Sequence, residues 1–257
     1  MVLILFPFHL FLIDLMILVG GILLFGVGFY VYKKKQLIED TPTSKIRSLA
    51  MGLVELFGQV IPIPERLFKS PFTEKDCVYY QFTVEEYVSS GKSSHWETIK
   101  KGEKRILFYL KDDTGMVLVD PTGASIEATR DFDCESGHGR DPPESVVRFL
   151  TANNIAYEGF FGANKTMRYR ENIIVPNQNL YIMGTADENP FANDPGANQG
   201  LPYTIIRKGA QEKMFFISDK KERDILREFN MKIVGAIVLG LLLFILGLLM
   251  MYFEGII

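Results

Sequence analysis

The apolar residues of this chain gather in two blocks near its ends, and between them lie short runs in which apolar and polar positions alternate. From Leu15 to Tyr32 no residue is charged, and a helix of about 18 residues at 1.5 Å per residue covers roughly 27 Å, close to the hydrocarbon thickness of a bilayer. The block from Ile233 to Phe253, about 21 residues, covers roughly 31 Å. Both blocks predict membrane-spanning helices. Lys33, Lys34 and Lys35 follow the first block, whereas a cleavable leader carries its positive charge ahead of the apolar core, so the first block reads as a retained anchor.

The middle of the chain has the two-residue period of half-buried strands. Cys77 to Val88 is the clearest case, with Val78, Tyr80, Phe82 and Val84 on one face and Gln81, Thr83 and Glu85 on the other. Comparable runs span Leu53–Ile61, Arg105–Lys111, Met116–Asp120, Ala124–Thr129, Tyr169–Val175, Asn179–Thr185, Tyr203–Arg207 and Lys213–Ile217. Asp112-Asp113-Thr114-Gly115 and Asp120-Pro121-Thr122-Gly123 have the composition of tight turns. Closely spaced strands without long intervening helices predict an antiparallel sheet, curled or barrel-like. Pro142-Pro143-Glu144 opens a short helix. Asp219 with Glu222 resembles a capping box, and Ile225, Leu226, Phe229 and Ile233 continue at helical spacing into the second block, as a stiff stem that would hold the domain near the bilayer. The polar stretches Asp131–Asp141 and Asp187–Gly200 read as loops. The fold class is thus α+β, mainly antiparallel β between two transmembrane helices. Its parts are an anchor (residues 1–35), a β domain (36–218), a helical stem (219–232) and a C-terminal span (233–253).

Basic residues set the direction. Lys33–Lys35, Lys45 and Arg47 follow the first span, and Lys220, Lys221, Arg223, Arg227 and Lys232 precede the second, while the outer flanks hold no Lys or Arg. By the positive-inside rule this is a two-span cell-membrane protein with both termini outside and the middle domain in the cytoplasm. Gly21 and Gly28, like Gly240 and Gly247, are seven apart and share a helix face, which offers a close-packing surface for a homo-oligomer. Asp14 is expected at the membrane interface, since the span can begin after it.

With 257 residues, 47% apolar and 23% charged, the chain is too apolar to be disordered throughout. A net charge of −3 gives no general attraction for nucleic acid. Cys77 and Cys134 are too few and too far apart for a zinc cluster, and free thiols are expected. No nucleophile elbow, P-loop, zincin or dinucleotide motif occurs. Cys134, His138 and Asp133 can be drawn as a thiol and base, but they fall in one loop with nothing to orient them, and an ordinary surface loop is the better reading. Asp187, Glu188, Asn189, Asn193, Asp194 and Asn198 are oxygen ligands of the kind calcium takes, without the spacing of a calcium loop. His95 beside Trp96 reads as a strand end. The sequon Asn164-Lys165-Thr166 is expected to be idle on a cytoplasmic domain. No catalytic residue, cofactor or metal site is expected.

Four stretches together, DTPTSKIRSLAMGLVE (Asp40–Glu55), SPFTEKDCVYYQFTVEEY (Ser70–Tyr87), RYRENIIVPNQNLYIMGTA (Arg168–Ala186) and FFISDKKERDIL (Phe215–Leu226), with a span on either side, resemble the GIDE family. Its eukaryotic members include the mitochondrial ubiquitin ligase activator of NF-kappa-B. The resemblance implies a "beside a membrane" domain between the spans, followed by a RING finger that recruits a charged conjugating enzyme. After Phe253 only four residues remain, and none of the RING's zinc ligands can be carried onto a position here, as in RING-less prokaryotic relatives. The resemblance also implies a middle domain facing away from the cytosol, opposite to the charge reading. The expected function is therefore a non-catalytic, membrane-anchored protein whose β domain binds an unknown protein partner, or lipid, at the bilayer surface. Arg47, Arg168, Arg170 and Glu171 are its candidate recognition surface. The alternatives are a ubiquitin transferase acting with a separate RING, and an NfeD-like membrane accessory protein.

Overall fold

A computed structural model of the chain describes residues 8–63, 65–91, 93–159, 162–190, 192, 203–210 and 214–253. In chain order the elements are α1 (Phe8–Asp40), a 3-10 turn (Ile46–Ser48), β1 (Gly52–Pro62), β2 (Phe68–Lys69), β3 (Asp76–Cys77), β4 (Tyr79–Ser90), β5 (Ser93–Arg105), β6 (Phe108–Lys111), β7 (Met116–Val119), β8 (Ser125–Glu127), β9 (Arg130–Ser136), α2 (Glu144–Ala152), β10 (Met167–Ile174), β11 (Asn179–Glu188), β12 (Thr204–Arg207), β13 (Phe216–Ser218) and α3 (Glu222–Phe253). The fold is α+β, with mainly antiparallel strands between two apolar helices that are long enough to cross a membrane. The two helices form one compact unit and Thr43–Lys221 another.

In the β unit, β1, β6, β7, β12 and β11 close into a barrel-like sheet. Closure depends on the length of β1, whose first part pairs with β11 (Gly52–Gln59 against Ala186–Asn179) and whose end pairs with β6 (Gln59–Pro62 against Lys111–Phe108). At the crossover Gly58 must be glycine, because a Cβ there would lie 2.6 Å from the carbonyl oxygen of Lys111. The pairing of β12 with β7 is parallel, while the other four seams are antiparallel. Alternation sends Val54, Leu56, Val60, Leu110, Val117, Leu180, Ile182 and Ile206 into one core. On the opposite face of β1, buried Glu55 accepts hydrogen bonds from the Tyr181 hydroxyl (2.7 Å) and the Thr43 hydroxyl (2.6 Å).

A second, four-stranded antiparallel sheet runs in the order β5-β4-β10-β9. Its inner face is covered by α2 through Val146 and Leu150 and by Phe72, which meets Phe82, Phe132, Phe149 and Tyr169 at ring distances of 5.2 to 6.2 Å. The stretch expected to be a loop at 131–141 therefore begins as strand β9, and the long strand β5 has no counterpart among the expected runs. Asp219 does not act as a helix cap. One of its carboxylate oxygens accepts instead from the Thr129 N–H (2.9 Å) and from Gln178 (3.3 Å).

In the helical unit the chain positions run in opposite directions, since Gly28 faces Ala236 and Ile237, Gly21 faces Gly240, and Gly247 faces Leu18 and Asp14. A Cβ on Gly21 would fall 2.7 Å from the Gly240 carbonyl oxygen, so the backbones touch where side chains are missing. The glycine faces offered for a homo-oligomer thus pack against each other within one chain. Asp14, expected at the membrane interface, is buried against the second apolar helix. Its side chain is 0% exposed, neither carboxylate oxygen has a hydrogen-bond partner among the described residues, and its backbone carbonyl lies 3.3 Å from the Cβ position of Gly247.

Candidate functional site: the outer face of the four-stranded sheet

Strand β10, MRYRENII, alternates strictly. Met167, Tyr169, Glu171 and Ile173 turn inward, and Arg168, Arg170 and Asn172 turn to the uncovered face. Glu171, expected on the surface with the arginines, is fully buried. Its carboxylate accepts four hydrogen bonds, from Phe72 N–H (2.7 Å), Thr73 N–H (2.9 Å), the Thr73 hydroxyl (2.7 Å) and the Ser70 hydroxyl (3.1 Å). It therefore ties the Ser70–Thr73 turn to the sheet, and that turn seats Phe72 in the aromatic core. Arg47 is also elsewhere. It lies on the 3-10 turn, where its N–H donates to the Thr114 hydroxyl (3.1 Å) at the hairpin between β6 and β7.

Arg168 and Arg170 do meet, on either side of Glu85. Arg168 donates to Glu85 Oε2 through Nε and Nη2, both at 2.8 Å, and Arg170 Nη1 reaches the same oxygen at 3.3 Å. The Arg168 guanidinium lies 4.3 Å from the ring centre of Trp96, and Tyr87 meets Trp96 edge-on at 5.3 Å. A stacked guanidinium of this kind contributes on the order of 1 kcal/mol. On the far side Arg170 Nε approaches Asp133 at 3.6 Å, and Arg130 binds Asp133 at 2.6 Å. The result is a patch in which a tryptophan, a tyrosine and two arginines are interlocked by stacking and ion pairs. Trp96, Tyr87, Glu85 and Asp133 were not among the residues expected on the recognition surface. The signal available for them was their parity with Arg168 and Arg170 once the strand pairing is known.

The GIDE family model, described as an E3 ubiquitin ligase, matches residues 79–251, more than half of the chain. The chain belongs to the GIDE family. No curated protein and no solved structure matches it. The matched segment runs from β4 through most of α3 and so contains the patch, every barrel strand except β1, and one apolar helix of this GIDE domain.

Within the GIDE domain the thiol drawn with His138 and Asp133 does not form a nucleophile. Cys134 and Asp133 are adjacent in a strand, so they point to opposite faces: Cys134 packs toward the aromatic core and Asp133 sits with the outer arginines. Burial pushes the Cys134 thiol above its usual range, against thiolate formation. Cys77 is more extreme, since burial pushes its thiol up to about 12. Both are free thiols. Among the described residues no three His, Cys, Asp or Glu converge as a metal site. Of the oxygen ligands drawn for calcium, Asp187 is paired with Arg207, which holds its carboxylate below the ordinary range, and Asn193, Asp194 and Asn198 lie outside the described residues.

Proposed function

We propose that this GIDE-family chain is a membrane-anchored binding protein without chemistry of its own, whose β domain engages a protein partner at the bilayer surface through the outer face of the four-stranded sheet. The observation that carries the reading is the Trp96–Arg168–Tyr87 cluster, fixed by Glu85 on a rigid sheet. Trp, Tyr and Arg dominate interface energetics when they are held in place before binding, because little side-chain freedom is then lost. In the full-length protein in membranes, a photocrosslinking amino acid at Tyr87 is expected to give a discrete adduct that disappears with Arg168→Glu. No adduct from any outer-face position would remove the proposal. Ubiquitin transfer with a separately supplied RING is the second reading, favoured by the description of the matching family. Purified chain that accelerates ubiquitin discharge from a charged conjugating enzyme would establish it over binding alone.

The proposed topology has both helices crossing one membrane with the β domain in the cytoplasm, supported by the lysines that follow the first apolar block and precede the second. A cysteine at exposed Ser94, in a Cys134→Ser background, should resist an impermeant maleimide in intact cells and react after lysis. Labelling before lysis would invert the assignment.

A further inference from the structure

Among the described residues the four-stranded sheet ends in two edge strands, β5 and β9, each paired on one side only, and the charges along those edges match each other in register. Reading across the outer face, one row of directly opposed residues is Lys101–Thr83–Arg170–Asp133. The next is Glu103–Gln81–Asn172–Arg130. The first row ends positive on β5 and negative on β9; the second ends negative on β5 and positive on β9. Lys101, Glu103, Arg130 and Asp133 all stand at uncovered edges, and Arg130 and Asp133 keep 47% and 42% of their side-chain surface in solvent.

We propose that the sheet continues from one copy of this chain into the next, with β5 of one copy lying against β9 of its neighbour. The inference rests on the binding role above and names its partner. Three features agree on this one arrangement. Neighbouring strands of the sheet are antiparallel throughout, so a second copy in the same orientation presents β9 antiparallel to β5, and the alternation continues unbroken. Copies anchored in one membrane share an orientation. At zero shift Lys101 faces Asp133 and Glu103 faces Arg130, each an opposed pair of opposite sign, which is favourable across strands. A slip of one row in one direction sets Lys101 against Arg130; in the other it sets Glu103 against Asp133 and Arg105 against Arg130, two like pairs against the single opposed pair Lys101–Glu135, so the charges disfavour both neighbouring registers.

The register also fits the backbone. Asp131 is an extra residue that opens a bulge in β9, and Gly102, which has no side chain, would face that two-residue step. Edge charges commonly serve to keep strands apart, but for that purpose like charges on both edges suffice. Here the signs are complementary row by row, which selects a neighbour. Asp133 and Glu103 already have partners within the chain, Arg130 and Arg105, and exposed pairs of this kind exchange at little cost.

The test uses the full-length protein in membranes, with Cys134 replaced by Ser. Lys101→Cys combined with Asp133→Cys is expected to give, on mild oxidation, a ladder of dimers, trimers and higher species, because a head-to-tail contact leaves one edge open at each step. Either cysteine alone should give no ladder. Strong dimer formation from Lys101→Cys alone would show β5 pairing with itself and overturn the proposal, as would a monomer only from the double variant. Charge reversal at Lys101→Asp or Asp133→Lys in the Cys134→Ser chain should reduce lysine-reactive, higher-order crosslinking by about tenfold, and the two reversals together should restore it. If the Tyr87 photoadduct instead contains a different protein and no ladder forms, the binding role stands and the second copy is excluded. Absence of both removes the two together.

Discussion

Glu171 shows how one residue's parity decides its role. Its neighbours Arg168 and Arg170 are correctly legible as outward, since the run from Tyr169 alternates. An acid at an inward position of the same run reads from sequence as exposed, because its partners, Ser70 to Thr73, lie about a hundred positions away and no local pattern announces them. Removing the carboxylate leaves the Phe72 and Thr73 N–H groups unpaired, at about 1–3 kcal/mol for each buried donor left unsatisfied, and leaves the Ser70 and Thr73 hydroxyls only each other (2.6 Å). Glu171→Ala should therefore lower the midpoint of thermal unfolding by several degrees in detergent, and Glu171→Gln by less. An unchanged midpoint for the alanine variant would refute the latch. Asp112 gives a pH dependence. Burial works against its charge, yet hydrogen bonds from the Ile46 N–H, the Thr114 hydroxyl and N–H, and the Gly115 N–H outweigh that and hold the carboxylate below its usual range. A depressed folded value contributes stability above the unfolded value, about 3.9 for Asp, and loses it as pH falls through the folded one. The stability gap between the native chain and Asp112→Ala, followed by denaturant titration, should be present at neutral pH and shrink under acid.

At the scale of elements, the strands that face a core were legible and the strands that do not were missed. Runs such as Leu53–Ile61 and Asn179–Thr185 coincide closely with β1 and β11 because these strands are buried, in part on both faces, and so are rich in apolar residues. Strand β5 is almost wholly exposed, so its sequence SSHWETIKKGEKR carries no apolar period. It is extended because β4 pairs with it along its length. Strand β9 was obscured in the same way by Asp131, Asp133 and Glu135. The helices were legible from length alone, but their partner was not, since a glycine face does not say whether the facing helix belongs to the same chain. Gly21→Leu should separate α1 from α3, because the new side chain would have to occupy the position of the Gly240 carbonyl. Disulfide formation between cysteines placed at Leu18 and Gly247, strong in the native background, should fall sharply. Asp14→Leu should act in the opposite sense. It replaces an unpaired buried carboxyl with an apolar group, a change that is commonly neutral or stabilising, and the same crosslink should hold or strengthen.

For the whole molecule, the sequence carries the plan of two apolar helices around an antiparallel β domain, and the barrel's topology lies beyond it. Closure is decided by which residues of β1 pair with β6 and which with β11, a question of long-range register. The patch is half legible for the same reason: Arg168 and Arg170 belong to one strand, but Trp96, Tyr87 and Asp133 reach them through three separate pairings. The double use of β1 also constrains how the protein is made. Residue 52 finds its partner at residue 186, so on a ribosome the first strand emerges long before the strand that seals it. Throughout that interval Val54, Leu56 and Val60 have no β11 to cover them. Contacts so distant along the chain slow folding. A nascent chain stalled before Asn179 should consequently remain protease-sensitive within β1, whereas one stalled after α3 should be protected there.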